Sequence, residues 1–130
     1  MKRALMTIGI LIAAAMLLIA DRSTTAKAAS ALDKEAPTFE LPDLSGQKRK
    51  LVDYRGKVTV VTFLSAKCPV SADYNERVAT ISRDFAKRGV SFLAINANSD
   101  ESIQVIREHA RANGFQFPIL KDEAGTVAAA

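Results

Sequence analysis

Cys68 is the only cysteine among 130 residues, and it stands in the run Ser65-Ala66-Lys67-Cys68-Pro69-Val70-Ser71. The thiol has a cation immediately before it and a hydroxyl three residues away on either side. Sulfur chemistry runs through the thiolate, which attacks disulfides and peroxides. A lone thiol cannot close an internal disulfide, and the position where a dithiol exchanger carries its second cysteine holds Ser71. A hydroxyl can donate a hydrogen bond to a thiolate, yet it cannot resolve a mixed disulfide. Cys68 must therefore be released by an external thiol, or be oxidised by a hydroperoxide to sulfenic acid. Two plainer readings stand beside these: Cys68 as a buried small hydrophobe, and Ser71 as a first-turn serine bonding the backbone.

The flanking segments say how such a thiol would be held. Val58 to Leu64 is β-branched and apolar throughout, the pattern of a strand covered on both faces, and is expected to be the central strand. From Pro69 to about Lys87 the apolar residues Val70, Tyr74, Val78, Ile81 and Phe85 recur at three and four, which predicts an amphipathic helix buried along that stripe. Pro69 suits the first helical position, so Cys68 becomes the N-cap, at the carboxyl edge of the sheet where α/β proteins place ligands. The helix N-terminus and the Lys67 cation both favour the thiolate there.

Further along, Gly89 ends the helix and Val90 to Asn96 forms a second strand. Asp100-Glu101 sets acid at the start of a second helix carrying Ile103, Ile106 and Ala110, which Asn113-Gly114 stops. Phe117 to Leu120 is a short extended segment, and residues 122–130 begin something helical. Before the first strand, residues 38–52 read as a β-hairpin, with turn chemistry at Pro42 to Gly46 and a strand resuming at Lys50-Leu51-Val52. Strands alternating with helices imply an α/β sandwich around a parallel sheet.

Composition narrows the function classes. The formal net charge is +4, but Lys2-Arg3 followed by an uncharged run from Ala4 to Ala20 reads as a targeting segment. A signal peptide over residues 1–28 fits best; the alternative is an uncleaved membrane anchor through residues 4–20. Residues 29–37 then serve as a linker and 38–130 as the domain. Either reading delivers the domain to the periplasm or beyond. Without residues 1–28 the chain carries about +1, which argues against nucleic-acid binding. There is no metal-ligand spacing and no Gly-rich phosphate loop, so neither metal nor cofactor is expected.

The residues Ala36-Pro37-Thr38-Phe39-Glu40-Leu41-Pro42-Asp43-Leu44-Ser45-Gly46, then Leu51 to Leu64, Ala66 to Ser71 and Phe117-Pro118-Ile119-Leu120-Lys121-Asp122 carry a family likeness. The chain resembles exported redoxins of the thioredoxin-like superfamily, in the AhpC/TSA (peroxiredoxin-like) or TlpA/ResA-like branch. The resemblance implies an N-terminal β-hairpin on a βαβα core and a nucleophilic Cys68 at the start of the first long helix. It aligns Ser65 with the hydroxyl residue three before the peroxiredoxin cysteine. Two positions depart from the patterns: Val61 stands where peroxiredoxins have proline, and Ser71 where exchangers have cysteine. The cis-proline segment, antiparallel strands and last helix that follow in relatives are missing up to Ala130.

The implied function is an exported thiol oxidoreductase that attacks a hydroperoxide or a disulfide and is regenerated by an external thiol reductant. In it Cys68 is the nucleophile, Lys67 and the first-turn amides stabilise the thiolate, and Ser65 and Ser71 are hydrogen-bond partners. The alternative is a non-catalytic thioredoxin-like binding module with a structural cysteine. His109, the only histidine, is expected at the surface or an edge. Lys48-Arg49-Lys50 reads as a solvated basic run or a docking patch, and Asn96-Ala97-Asn98 as a turn.

Overall fold

Residues 34–130 are described by the structure, a computed structural model. The segment read as signal peptide or anchor, 1–28, and linker residues 29–33 lie outside the described residues. No described helix is long and apolar enough to cross a membrane.

Strands β1 (Glu40–Pro42) and β2 (Lys48–Lys50) pair antiparallel as the expected hairpin. The buried Asp43 carboxylate closes its turn, accepting from the Ser45 and Gln47 amides and from Arg49 Nε at 2.9, 3.0 and 3.0 Å. The strand expected to continue through Val52 instead gives way to a 3₁₀ turn, Leu51–Tyr54. Asp53 Oδ2 captures the Lys50 amide at 3.3 Å and bends the chain there. Lys48 and Lys50 share Glu40, and Arg49 pairs with Asp43, so each cation of the solvated basic run has an acidic partner within the hairpin.

The main sheet holds β3 (Thr59–Phe63), β4 (Ser91–Asn96) and β5 (Ile119–Lys121), all parallel, in the order β3-β4-β5. Helix α1 (Pro69–Ala86) joins β3 to β4, and α2 (Ile103–Ala112) joins β4 to β5. The fold is the expected α/β arrangement. Its middle strand, however, is β4, where Leu93 to Asn96 are buried, whereas β3 is an edge of this sheet with Phe63 54% exposed. Ala94 packs with Ile106 of α2 and Ile119 of β5, supported by Leu44, Leu64 and Phe117. Strand alternation then turns Leu93 and Ile95 to the opposite face, under α1.

Helix α1 has the predicted ends but not the predicted buried face. Asn75, Ala79 and Ser82 are buried, while Val70, Tyr74, Ile81 and Phe85 are exposed, Val70 by 65%. Each buried residue lies one position after Tyr74, Val78 and Ile81, a rotation of about 100°. Small side chains let the helix sit on β4. Gly89 and Gly114, with φ of 81° and 65°, close the two helices as expected, because only glycine turns left-handed without steric cost. Residues 126–129 form turns rather than a helix; the buried Asp122 carboxylate gathers the Thr126, Val127 and Ala128 amides.

Candidate functional site

Cys68 leaves the carboxyl end of β3 through the loop 64–67 and takes the N-cap of α1, with Pro69 at the first helical position. Its own carbonyl accepts the Ala72 amide at 3.0 Å, the first bond of the helix. Cys68 is half-buried and has no side-chain capping bond. Pro69 has no N–H, and the Val70 and Ser71 amides have no partner among the described residues, so the end of the helix at Cys68 is open.

The three other residues singled out in the sequence all gather here, in unequal roles. Ser65 Oγ accepts from the Cys68 and Lys67 amides at 3.1 and 3.3 Å. Ser71 Oγ accepts from the Ser65 amide at 3.3 Å, a backbone-bonding serine that ties helix to loop. The Lys67 ammonium donates to the carbonyl and carboxylate of Asp100, at 2.7 and 3.1 Å, rather than to the sulfur. Both partners of that ion pair are largely exposed, so it holds the loop only weakly.

The residue that organises the loop is Glu101, which the sequence reading placed as a dipole-favouring acid in the second helix. Ser102 is the actual N-cap of α2, its Oγ accepting from the Val105 amide at 3.3 Å, and Glu101 precedes the helix and turns inward. It is 1% exposed. Its Oε1 accepts from Ser65 Oγ at 2.5 Å, the Lys67 amide at 3.0 Å and Asn98 Nδ2 at 3.2 Å. Oε2 accepts from the Ala66 amide at 2.9 Å and Asn96 Nδ2 at 2.6 Å. Burial by itself would raise the carboxyl's pKa, but this set of donors outweighs it and lowers it to about 2. The signal available in the sequence was Ser102 directly before Ile103, the ordinary place for an N-cap.

Beneath Glu101 lies a second buried charge. Lys121 Nζ donates to Asn96 Oδ1 at 3.2 Å, to the Glu101 carbonyl at 3.0 Å and to the Asn98 carbonyl. Asn96 and Asn98 thus build the expected turn and also link the ammonium of β5 to the carboxylate under the Cys68 loop. His109 is half-buried, edge-on to Phe115 at 5.9 Å, and its Nε2 has no partner among the described residues.

A half-buried free cysteine thus stands at the N-cap of the first long helix of a hairpin-plus-βαβα fold. Residues 32–130 match the AhpC/TSA family. The chain belongs to the AhpC/TSA family. The chain is 32% identical over 103 residues to the thiol-disulfide oxidoreductase ResA of Geobacillus thermodenitrificans, covering 79% of this chain and 58% of that protein. It is also 32% identical over 93 residues to the putative peroxiredoxin Rv2521 of Mycobacterium tuberculosis, covering 68% and 55%. The solution structure of a putative thioredoxin from Neisseria meningitidis superposes with a TM-score of 0.64 at 27% identity, over 73% of this chain and 63% of that one. This AhpC/TSA chain therefore has a thioredoxin-like fold and spans 55–58% of the length of those two curated relatives.

Proposed function

We propose that the protein is an exported, single-cysteine thiol–disulfide oxidoreductase. The Cys68 thiolate attacks one sulfur of a substrate disulfide; the S–S bond breaks, a mixed disulfide forms on Cys68, and the other sulfur departs as thiolate. An external thiol then attacks the mixed disulfide, releases Cys68 as thiolate and leaves as a new disulfide with the substrate half. With Ser71 in place of a second thiol, the first turn of α1 offers no resolving cysteine. Delivery outside the cytoplasmic membrane rests on residues 1–28, as a cleaved signal or as an anchor through residues 4–20.

The observation that carries this reading is the position of half-buried Cys68 at the N-cap of α1, whose Val70 and Ser71 amides have no partner among the described residues. A helix N-terminus carries partial positive charge and suits an anion in attack and in departure. Exchange also asks little of the surrounding hydroxyls, because a thiolate leaves without a proton. Hydroperoxide reduction, the activity in the name of the mycobacterial relative, needs a donor for its leaving oxygen. The Ser65 proton, however, is directed to Glu101.

The test is the second-order rate of reduced Cys68 with a small symmetrical disulfide, compared with free cysteine and with Cys68→Ser, alongside intact-mass detection of the mixed disulfide. Acceleration over free cysteine with a stable adduct on Cys68 supports the proposal. A folded protein reacting no faster than free cysteine overturns it and leaves the binding-module alternative.

A further inference from the structure

Glu101 is a fully buried carboxylate, and the exchange cycle above makes no use of it. Its reach across to the Cys68 loop nevertheless has a chemical consequence. A serine hydroxyl has one proton and two acceptor sites, whereas an ionised carboxylate can only accept. The 2.5 Å contact between Ser65 Oγ and Glu101 Oε1 therefore spends the single Ser65 proton on Glu101. What remains of Oγ is lone pairs, filled by the Cys68 and Lys67 amides at 3.1 and 3.3 Å. The Cys68 amide nitrogen is itself only three bonds from Sγ. The hydroxyl bonded to the Cys68 amide is thus held acceptor-only toward that residue.

Disulfides and hydroperoxides respond differently to that arrangement. When the Cys68 thiolate attacks a disulfide, the S–S electron pair leaves on sulfur as a stable thiolate. When it attacks a hydroperoxide, the O–O bond breaks, Cys68 becomes sulfenic acid, and the electron pair leaves on oxygen as a strongly basic alkoxide or hydroxide. That oxygen must receive a proton from a donor beside it. Removing a hydroxyl donor from the site costs the second reaction more than the first.

Resting on the reading of Cys68 as nucleophile, we infer that Glu101 is a specificity-determining residue of the Cys68 site: by taking the Ser65 proton it keeps Ser65 acceptor-only and favours disulfide over hydroperoxide substrates. It acts through Ser65 and the loop amides, and touches neither the sulfur nor the substrate. The Ser71 hydroxyl, which accepts from the Ser65 amide, is the same in every variant compared below.

Glu101→Gln keeps the shape; with its oxygen held by the Ala66 amide and Asn96 Nδ2, its N–H₂ takes the Oε1 position, displaces the longer Lys67 amide bond from Ser65 Oγ and turns the hydroxyl proton outward. The readout is the ratio of second-order rates with hydrogen peroxide and with the small disulfide, in the wild type, Glu101→Gln, Ser65→Ala and Glu101→Gln/Ser65→Ala. The peroxide-to-disulfide ratio is expected to rise on the order of tenfold in Glu101→Gln and to return to the wild-type ratio in the double variant. Ser65→Ala alone is expected to lower both rates together. A merely structural role would also lower both rates in Glu101→Gln. An unchanged ratio in Glu101→Gln, a rise that persists without Ser65, or a selective loss of peroxide rate in Ser65→Ala would each overturn the inference. Should Glu101→Gln not fold, the Ser65→Ala comparison still decides it. A wild-type thiol no faster than free cysteine would sink the exchange reading, and the ratios would still report on Glu101.

Discussion

Ser65 Oγ donates to Glu101 Oε1 at 2.5 Å, joining residues 36 positions apart in the chain. Through this bond the turn before α2 governs the turn before α1. The amides of Ala66 and Lys67 point to the same carboxylate, so the backbone leading into Cys68 is held from below by one buried charge.

Two buried carboxylates, Asp43 and Glu101, are expected to dominate acid unfolding. For each, burial raises the pKa but hydrogen bonds outweigh it, and the folded value falls to about 2 from 3.8 and 4.5. The unfolded chain therefore binds more protons in acid. The stability each contributes is present above about pH 4.5 and is lost as pH falls toward about 2, by roughly 2–3 kcal/mol per group. Urea midpoints between pH 2 and 6 should show this slope. Asp43→Asn and Glu101→Gln should each flatten it, and an unaltered slope in both variants would contradict the assignment.

Lys121→Met is expected to cost about 2 kcal/mol, because the Glu101 carbonyl loses its donor inside the protein, while Asn96 Oδ1 and the Asn98 carbonyl keep only the Asn98 and Glu101 amides. Denaturant titration measures it directly. A loss below about 1 kcal/mol would mean that the ammonium does not hold the turn.

The orientation of α1 can be tested by paired substitutions. Val70→Ser and Ile81→Ser, on the exposed stripe, should change stability by less than about 0.5 kcal/mol, whereas Ala79→Leu should overpack the β4 interface and cost about 1–3 kcal/mol. The reverse order would restore the stripe of Val70, Tyr74, Val78, Ile81 and Phe85 as the buried face.

Ser71→Cys places a second thiol three residues after Cys68, within the first turn of α1. The mixed disulfide on Cys68 should then be released without external thiol, with Cys68 and Cys at position 71 oxidised to a disulfide. Mass spectrometry after a single turnover should find no lasting adduct, in contrast to the wild type. An adduct equally long-lived in both would show that the first turn cannot close.

The sequence by itself determined the features that depend on neighbours along the chain. Pro69 places the helix start and makes Cys68 its N-cap; Gly89 and Asn113-Gly114 end the helices; the alternation of apolar strands and periodic helices dictates the α/β order. The same reading brought Ser65, Lys67, Cys68 and Ser71 together, since all lie within seven residues. Tertiary structure decided the rest. Periodicity shows that a helix has an apolar stripe but not which strand lies beneath it, and α1 buries Asn75, Ala79 and Ser82 because β4 rather than β3 is the middle of this sheet. Proximity in sequence put Lys67 beside the thiol, but Asp100 across the loop claims its ammonium. Glu101 looked like an acid at a helix start because nothing local distinguishes a carboxylate facing water from one facing a nest of buried donors. Those donors come from Ser65, Ala66, Lys67, Asn96 and Asn98, and only packing of β3 against β4 brings the distant Ser65–Lys67 loop to the turn that holds Glu101.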